Sequence, residues 1–334
     1  MHRFIKAVGS GQKRARDLTR DEAREAMSLV ADGAARPEQL GAFLLALRMK
    51  GEAADELAGF VDALEARMSA HGAAPAGTLD VDCHGDGHQG RATLLPAAAC
   101  ALAALGVPVL LRLQLQQPTA RHGLGEALRA LGLASERPLD GARALAALDR
   151  VRLAALDLPR YCAPLDRLVA LRPLFGVRTV AQTLMKLLDP LRCDQRAVGV
   201  FHAPYLPSTA AALSTRGRAG LCVQALGGLP EAAPGKIVRV CRAGAEPETI
   251  DLRSLDRGPP EGDHGGGDAG SADAAAENLA ALDGVAGPMA RAAAAAAVLL
   301  HAARGVDPLT AAGEARRVFA SGEARAVAAR LKSA

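Results

Sequence analysis

Between residues 19 and 68 the apolar positions recur every three or four residues, the spacing of helices with one buried face. Thr19-Arg20-Asp21-Glu22 reads as a capping box opening a helix that runs to about residue 31. Pro37 opens a second helix, with Leu40, Phe43, Leu44 and Leu47 on one face and a stop at Gly51. A third, over about 53–68, carries Leu57, Phe60, Val61 and Leu64. Three such helices with short links predict a small bundle. From residue 78 the pattern changes to short apolar runs at 79–82, 107–113, 151–156, 198–202, 220–226, 236–240 and 249–252, read as strands. Helical segments separate most of the earlier ones, so the expected sheet is mainly parallel. The helical stretch 163–188 breaks the alternation and is expected to pack on the first bundle. Breaks near Gly287-Pro288, 305–308 and Ser321-Gly322 divide the C-terminal helices.

The fold class is therefore α/β, a small helical bundle domain plus a larger α/β domain. The bundle would comprise 1–75 joined by inserted helices of about 161–192; the α/β domain would comprise 76–160 and 193–334. The low-complexity run 257–273 reads as a mobile loop.

Composition narrows this only a little. A formal net charge of +4 over 334 residues is too mild to speak for or against nucleic acid, so local distribution carries that question. Six cysteines without a C-x-x-C pair predict inert thiols in a reducing compartment. The expectation is a cytoplasmic protein with no membrane partner, since the N-terminus lacks an apolar leader and the alanine runs near 291–299 are short and flanked by Arg.

The most informative stretch is Asp82-Cys83-His84-Gly85-Asp86-Gly87-His88-Gln89-Gly90-Arg91, between a strand and the helix predicted over about 94–105. A glycine loop there is where open α/β domains hold phosphate, through backbone N–H groups and the helix N-terminus. Here Leu94, Leu95 and Pro96 stand at the helix start in place of polar ligands. Cys83, His84, Asp86 and His88 alternate suggestively, but no second cluster completes a metal site, and none is expected.

Two further stretches carry a resemblance. Residues 39–60 (QLGAFLLALRMKGEAADELAGF) and 162–190 (CAPLDRLVALRPLFGVRTVAQTLMKLLDP) resemble the N-terminal helical signature and second helical insertion of the anthranilate phosphoribosyltransferase superfamily, glycosyltransferase family 3. The resemblance implies a helical domain that dimerises and an α/β domain that binds magnesium-phosphoribosyl diphosphate. The enzymes' motifs transfer badly. Their G-T-G-G-D-G loop falls on Gly85 to Gly90, and their N-x-S-T on Thr93-Leu94-Leu95-Pro96. Their K-H-G-N-R falls on about Leu111 to Leu115, and their metal-binding D-E pair on Pro230-Glu231. In the R-T-x-F-N-x-x-G-P run, Arg178-Thr179 matches, Arg178 standing for the arginine that holds the anthranilate carboxylate. Gln182, Met185 and Lys186 replace the asparagine, glycine and proline of that run. A magnesium-bound sugar donor needs hard oxygen ligands and many donors. The resemblance therefore points to the noncatalytic, nucleic-acid-binding, YbiB-like branch, leaving Gly85, Gly87, Gly90, Arg178 and Glu231 as a vestigial pocket.

On that reading Lys6, Lys13, Arg14, Arg16 and Arg20, with Arg167, Lys186 and Arg192, contact the backbone of DNA or RNA, in a homodimer formed through the helical domain. Arg178 is expected in the old cleft, Arg172 beside it, and Lys186 outside. With eight aromatic residues, several at core spacing, base stacking is not the expected source of affinity. No catalytic residues and no cofactor are expected. The alternative is a divergent magnesium-dependent phosphoribosyltransferase acting on a carboxylated aromatic amine.

Overall fold

The computed structural model describes residues 1–11, 13–69, 72–86, 91–116, 123–134, 139–256 and 271–332. Gly87 and Gly90, His88, and the 257–273 segment up to residue 270 lie outside the described residues.

Four helices open the chain: α1 (His2–Gly9), α2 (Arg20–Ala31), α3 (Pro37–Lys50) and α4 (Ala54–Glu65). The capping box at α2 forms as expected, with Thr19 accepting from the Glu22 N–H and Glu22 accepting from the Thr19 N–H. Glycine fixes how closely α2 and α4 approach, since a Cβ on Gly59 would sit 2.9 Å from the Ala23 methyl and against the Arg20 carbonyl.

The α/β part alternates as the pattern predicts: β1 (Leu79–Asp82), α5 (Leu95–Ala104), β2 (Val109–Leu113), α6 (Leu124–Ala130), α7 (Gly141–Val151) and β3 (Leu153–Asp157). Four inserted helices come next, α8 (Leu158–Tyr161), α9 (Ala163–Ala170), α10 (Arg172–Phe175) and α11 (Val180–Leu187). Then come β4 (Gln195–Val200), α12 (Tyr205–Thr215), β5 (Leu221–Gln224), β6 (Ile237–Arg242) and β7 (Pro247–Asp251). Helices α13 (Ser271–Leu282), α14 (Ala286–Arg304), α15 (Pro308–Ala320) and α16 (Glu323–Lys332) close the described chain. Pro288 starts no new break: it sits in the first turn of α14, where a missing N–H costs nothing, and the chain turns earlier at left-handed Gly284.

All seven expected strands form one sheet in the order β3-β2-β1-β4-β5-β6-β7, parallel through β5 and antiparallel beyond it. The order reverses between β1 and β4, so the crevice beyond their carboxyl ends is the place where open α/β sheets hold ligands.

The pleat sorts side chains onto two different faces. Leu79 and Val81 of β1, with Val109, Leu111 and Leu113 of β2, pack against α5, α13, α14 and α15. That layer is apolar and rich in alanine. Helix α14 is long and apolar enough to cross a membrane by length and composition, but two-thirds of its apolar window is buried inside this layer (67%), as a core helix would be. The opposite face carries Asp80 and Asp82 of β1, Arg112 of β2 and Arg196 of β4, all 0% exposed, under the bundle and the inserted helices. The inserted helices share one apolar core with α1–α4, as expected. All six cysteines are free and buried, and burial raises their thiol pKa values.

Candidate functional site

The charged face of the sheet is organised around the end of α11. Arg112 Nε donates to both Asp80 oxygens at 2.6 and 2.7 Å, and Arg196 Nε donates to Oδ2 at 3.0 Å. Their remaining donors reach the last carbonyls of the helix: Arg112 to Met185 (2.7 Å) and Lys186 (3.0 Å), Arg196 to Leu187 (2.7 Å), Lys186 (3.2 Å) and Leu188. Helix ends leave carbonyls unpaired and carry partial negative charge, so two buried guanidinium groups satisfy both. Burial alone would lower the pKa of Arg112, but the Asp80 carboxylate and other neighbours raise it, and it stays charged.

At the other end of α11, Thr179 is the N-cap and Gln182 accepts its N–H at 2.7 Å. The departure from the enzymes' asparagine at Gln182 therefore serves a capping box. Clamped at both ends, α11 aims Lys186 at the switch-point crevice. Its ammonium donates to Asp82 Oδ2 (2.9 Å), to the Gly199 carbonyl (2.8 Å) and to the Gly228 carbonyl (2.6 Å). Lys186 thus lies inside the protein, where an exterior contact was expected. A lysine side chain long enough to reach the strand ends finds there three oxygens to which it can donate.

Asp82 is held by more than Lys186. The His84 ring Nδ1 lies 2.8 Å from Oδ1, the His84 N–H donates to it at 3.0 Å, and the Gly199 N–H donates to Oδ2 at 3.2 Å. Burial would raise the Asp82 pKa, but Lys186 and the His84 hydrogen bond hold it well below the usual carboxylate range. His84 is fully enclosed, and burial lowers its pKa against the opposing pull of Asp82.

Glycines close the crevice around this lysine. A Cβ on Gly85 would lie 2.6 Å from the Gly227 carbonyl oxygen, and one on Gly199 would strike the Gly228 carbonyl. Gly227 and Gly228 are themselves left-handed (φ 65° and 73°). Among the described glycines of the expected phosphate loop, Gly85 therefore serves close backbone contact.

Next along the loop, Asp86 takes two N–H donors from Arg172 at 2.8 and 2.9 Å, and a third from Arg178. Arg178 lines the cleft, and both arginines converge on Asp86. Burial would raise the Asp86 pKa, but the two arginines hold it well below the usual range. Glu231 is half-buried with both oxygens occupied, by the Thr93 hydroxyl at 2.5 Å and the Leu94 N–H at 2.8 Å, and desolvation raises its pKa. The helix start is thus less stripped of polar groups than the sequence suggests, because Thr93 and Glu231 find each other across the fold.

These contacts decide whether magnesium fits. Asp86 and Glu52 are the carboxylates that line the cleft. Asp86, with Asp82 and Glu231 beside it, spends its oxygens on the protein's own donors, and burial raises the pKa of Glu52, disfavouring the charged form a cation would need. Among the described residues no cluster of three or more His, Cys, Asp or Glu side chains could hold a metal ion. The donor set does not suit a hard dication.

The expected basic surface divides. Lys6, Lys13 and Arg14 are exposed, and none forms an ion pair among the described residues. A backbone bond from the Arg16 N–H to the Ala7 carbonyl folds their loop against α1. Arg16 instead grips Glu22 with two bonds of 2.7 Å, and Arg20 pairs with Asp62 at 2.6 Å. Arg167 is exposed and donates to the Ala31 carbonyl at 3.3 Å. That is the far end of α2 from the basic loop, about 17 Å away at 1.5 Å per residue. Arg192 is exposed in a left-handed conformation (φ 51°). The eight cations expected to act together therefore do not form one track on this chain.

Sequence reasoning passed over the cleft mouth. Phe201 is 48% exposed, and with His202, Tyr205 and Arg48 it lines the same cleft as Asp86 and Arg178. The available signal was its place just after a strand at the switch point.

Two family models match the chain. A glycosyl transferase helical bundle domain covers residues 2–68, and a glycosyl transferase a/b domain covers residues 78–325. The chain belongs to the anthranilate phosphoribosyltransferase-like glycosyl transferase family. Anthranilate phosphoribosyltransferase from Anaeromyxobacter sp. (strain K) is 32% identical over 258 residues, covering 76% of this chain and 75% of the relative. The enzyme of Geobacillus thermodenitrificans (strain NG80-2) is 34% identical over 204 residues, 60% of this chain and 58% of the relative. Among solved structures, anthranilate phosphoribosyltransferase from Thermus thermophilus superposes with a TM-score of 0.81 at 26% identity, over 100% of this chain and 99% of that one. The Saccharomyces cerevisiae enzyme in complex with PRPP and Mg shares the fold, with a TM-score of 0.79 at 17% identity over 99% and 96% of the two chains. These relatives are transferases, so on descent they favour the transferase alternative, and assignment to the nucleic-acid-binding branch of the family rests on the sequence resemblance alone.

Proposed function

We propose that this member of the family binds the sugar–phosphate backbone of nucleic acid through its helical domain and does not carry out magnesium-dependent phosphoribosyl transfer. One observation carries the reading: Lys186 fills the switch-point crevice on Asp82 and two carbonyls, while Lys6, Lys13 and Arg14 stand outside without carboxylate partners among the described residues. A metal-bound diphosphate would have to displace that ammonium and expose Asp82. Exposed cations on a loop, by contrast, meet phosphates at little desolvation cost.

Dimerisation through the helical domain belongs to the same proposal. Leu45 (40% exposed) and Met49 (86%) lie one turn apart on α3, and Leu174 (82%) and Val177 (43%) flank Phe175, whose ring would lie 3.5 Å from a Cβ on Gly41 of α3. A cluster of exposed large apolar side chains on neighbouring elements fits a self-association surface. A twofold axis there would supply the second basic loop that one chain lacks.

The second reading, a divergent phosphoribosyltransferase, draws on the 32% identity to the Anaeromyxobacter enzyme and on Arg178 in the cleft. One pair of measurements separates the two. Duplex DNA of arbitrary sequence is expected to bind with an affinity that falls with salt, at a log–log slope of about −0.9 per neutralised phosphate. Phosphoribosyl diphosphate with magnesium is expected to leave the melting temperature unchanged. Diphosphate release with an aromatic amine, together with salt-independent or absent DNA binding, would reverse the assignment.

A further inference from the structure

We propose that the cleft beside the switch point is a subsite for a nucleobase carrying a phosphate monoester, held closed to weaker anions by Asp86. The inference deepens the nucleic-acid reading and rests on it only for the source of that nucleotide.

The first observation is the ring chemistry. Of the eight aromatic residues, Phe4, Phe43, Phe60, Tyr161 and Phe319 are at most 2% exposed. Phe201, at 48%, is the one ring open by more than a third, and it faces the cleft. Its neighbours fix it in place. The His202 ring meets it edge-on at 4.6 Å, the Arg178 guanidinium lies 5.8 Å from its centroid, and Arg48 holds the Tyr205 hydroxyl at 3.1 Å. An exposed, braced ring beside cations is a stacking platform for any planar base.

The second observation is the anion chemistry. Arg172 and Arg178 together present three N–H donors to the Asp86 carboxylate. Gln182 adds a buried Nε2 in the same lining with no partner among the described residues. This donor set outnumbers what one carboxylate uses. Asp86 is tethered to the site, so its effective concentration there is high. A free carboxylate of the same charge gains nothing by replacing it. A phosphate monoester, with three terminal oxygens and close to two negative charges at neutral pH, can take the arginine donors together with the Gln182 amide and so displace it. The geometry therefore selects a ring bearing phosphate over a ring bearing carboxylate.

The test uses 2-aminopurine, whose fluorescence is quenched on stacking. The probes are a single-stranded oligonucleotide with a 5′-terminal 2-aminopurine, with and without its 5′-phosphate, and free 2-aminopurine riboside 5′-monophosphate. The phosphorylated end should be quenched by the wild-type chain, and Phe201→Ala should remove the quenching and weaken binding of that end about tenfold. Asp86→Asn should tighten the phosphorylated probes about tenfold and leave the unphosphorylated one unchanged. Quenching of the free monophosphate with no preference for the oligonucleotide end would support the site with free nucleotide as its source. Equal quenching by Phe201→Ala and wild type, or weaker binding in Asp86→Asn, would overturn the inference. Duplex retention at low salt reports separately on the helical surface: its loss with quenching intact sinks the backbone reading alone, and its persistence without quenching sinks this subsite alone.

Discussion

Lysine and arginine serve two opposite ends in this molecule. Against the sheet, Arg112, Arg196 and Lys186 are enclosed with their donors spent on Asp80, Asp82 and the carbonyls of α11, Gly199 and Gly228. On the bundle, Lys6, Lys13 and Arg14 stand in water. The first set is structural, since each buried charge is fixed by several oxygens and its removal would take a partner from a buried carboxylate. The second contributes little to stability and is available to a polyanion. A count of basic residues mixes the two, and only their partners tell them apart.

The largest effect should come from breaking the enclosed set. Arg112→Leu leaves Asp80 and the Lys186 carbonyl with Arg196 alone and frees the Met185 carbonyl of α11, and should cost about 3–5 kcal/mol of unfolding free energy. Urea denaturation measures it, and a loss below about 1 kcal/mol would mean that the cluster is not what ties α11 to the sheet. Next, Lys13→Glu with Arg14→Glu should abolish duplex retention and flatten the salt slope by about two phosphates' worth, with the urea midpoint unmoved. Unaltered retention would shift attention to Arg167 and Arg192.

Acid should separate the two sets again. His84 is buried with a lowered pKa, so below about pH 6.5 the unfolded chain takes up a proton that the folded chain refuses, and stability begins to fall. Asp82 and Asp86 have depressed pKa values, so their contribution is complete above about pH 4 and is lost as the pH falls below it. His84→Gln should erase the upper limb and keep the lower one in melting temperatures taken from pH 7.5 to 3.5. The smallest effect is expected at the base of the basic loop. Thr19→Ala removes the side-chain half of the α2 capping box and should cost about 1 kcal/mol, leaving duplex affinity where it was.

The fold was legible because periodicity carries it. The switch from helical spacing to short apolar runs at residue 78 marks where the bundle ends, and all seven strands lie on those runs. What stayed hidden were pairings between distant residues: Thr93 with Glu231, Asp86 with Arg172, and Lys186 with Asp82 are 138, 86 and 104 residues apart. Lys186 was misplaced for that reason. On a helix, a lysine in the last turn reads as solvent-facing, and nothing local says that a buried aspartate lies opposite. Phe201 was not singled out among the eight aromatic residues, because spacing along a strand does not reveal that the strand ends at an open mouth.

The ammonium between β1 and β4 also limits how the protein can be re-engineered. Exchanging Pro230→Asp would supply the acid that the metal pair lacks, yet the cation would still bridge the two strand ends and neutralise the neighbouring carboxylate. Shortening that side chain alone would take from Asp82 its ammonium partner and from the Gly199 and Gly228 carbonyls the donor it supplies. The two positions are therefore coupled, and replacing the lysine without changing its surroundings is expected to yield a less stable protein.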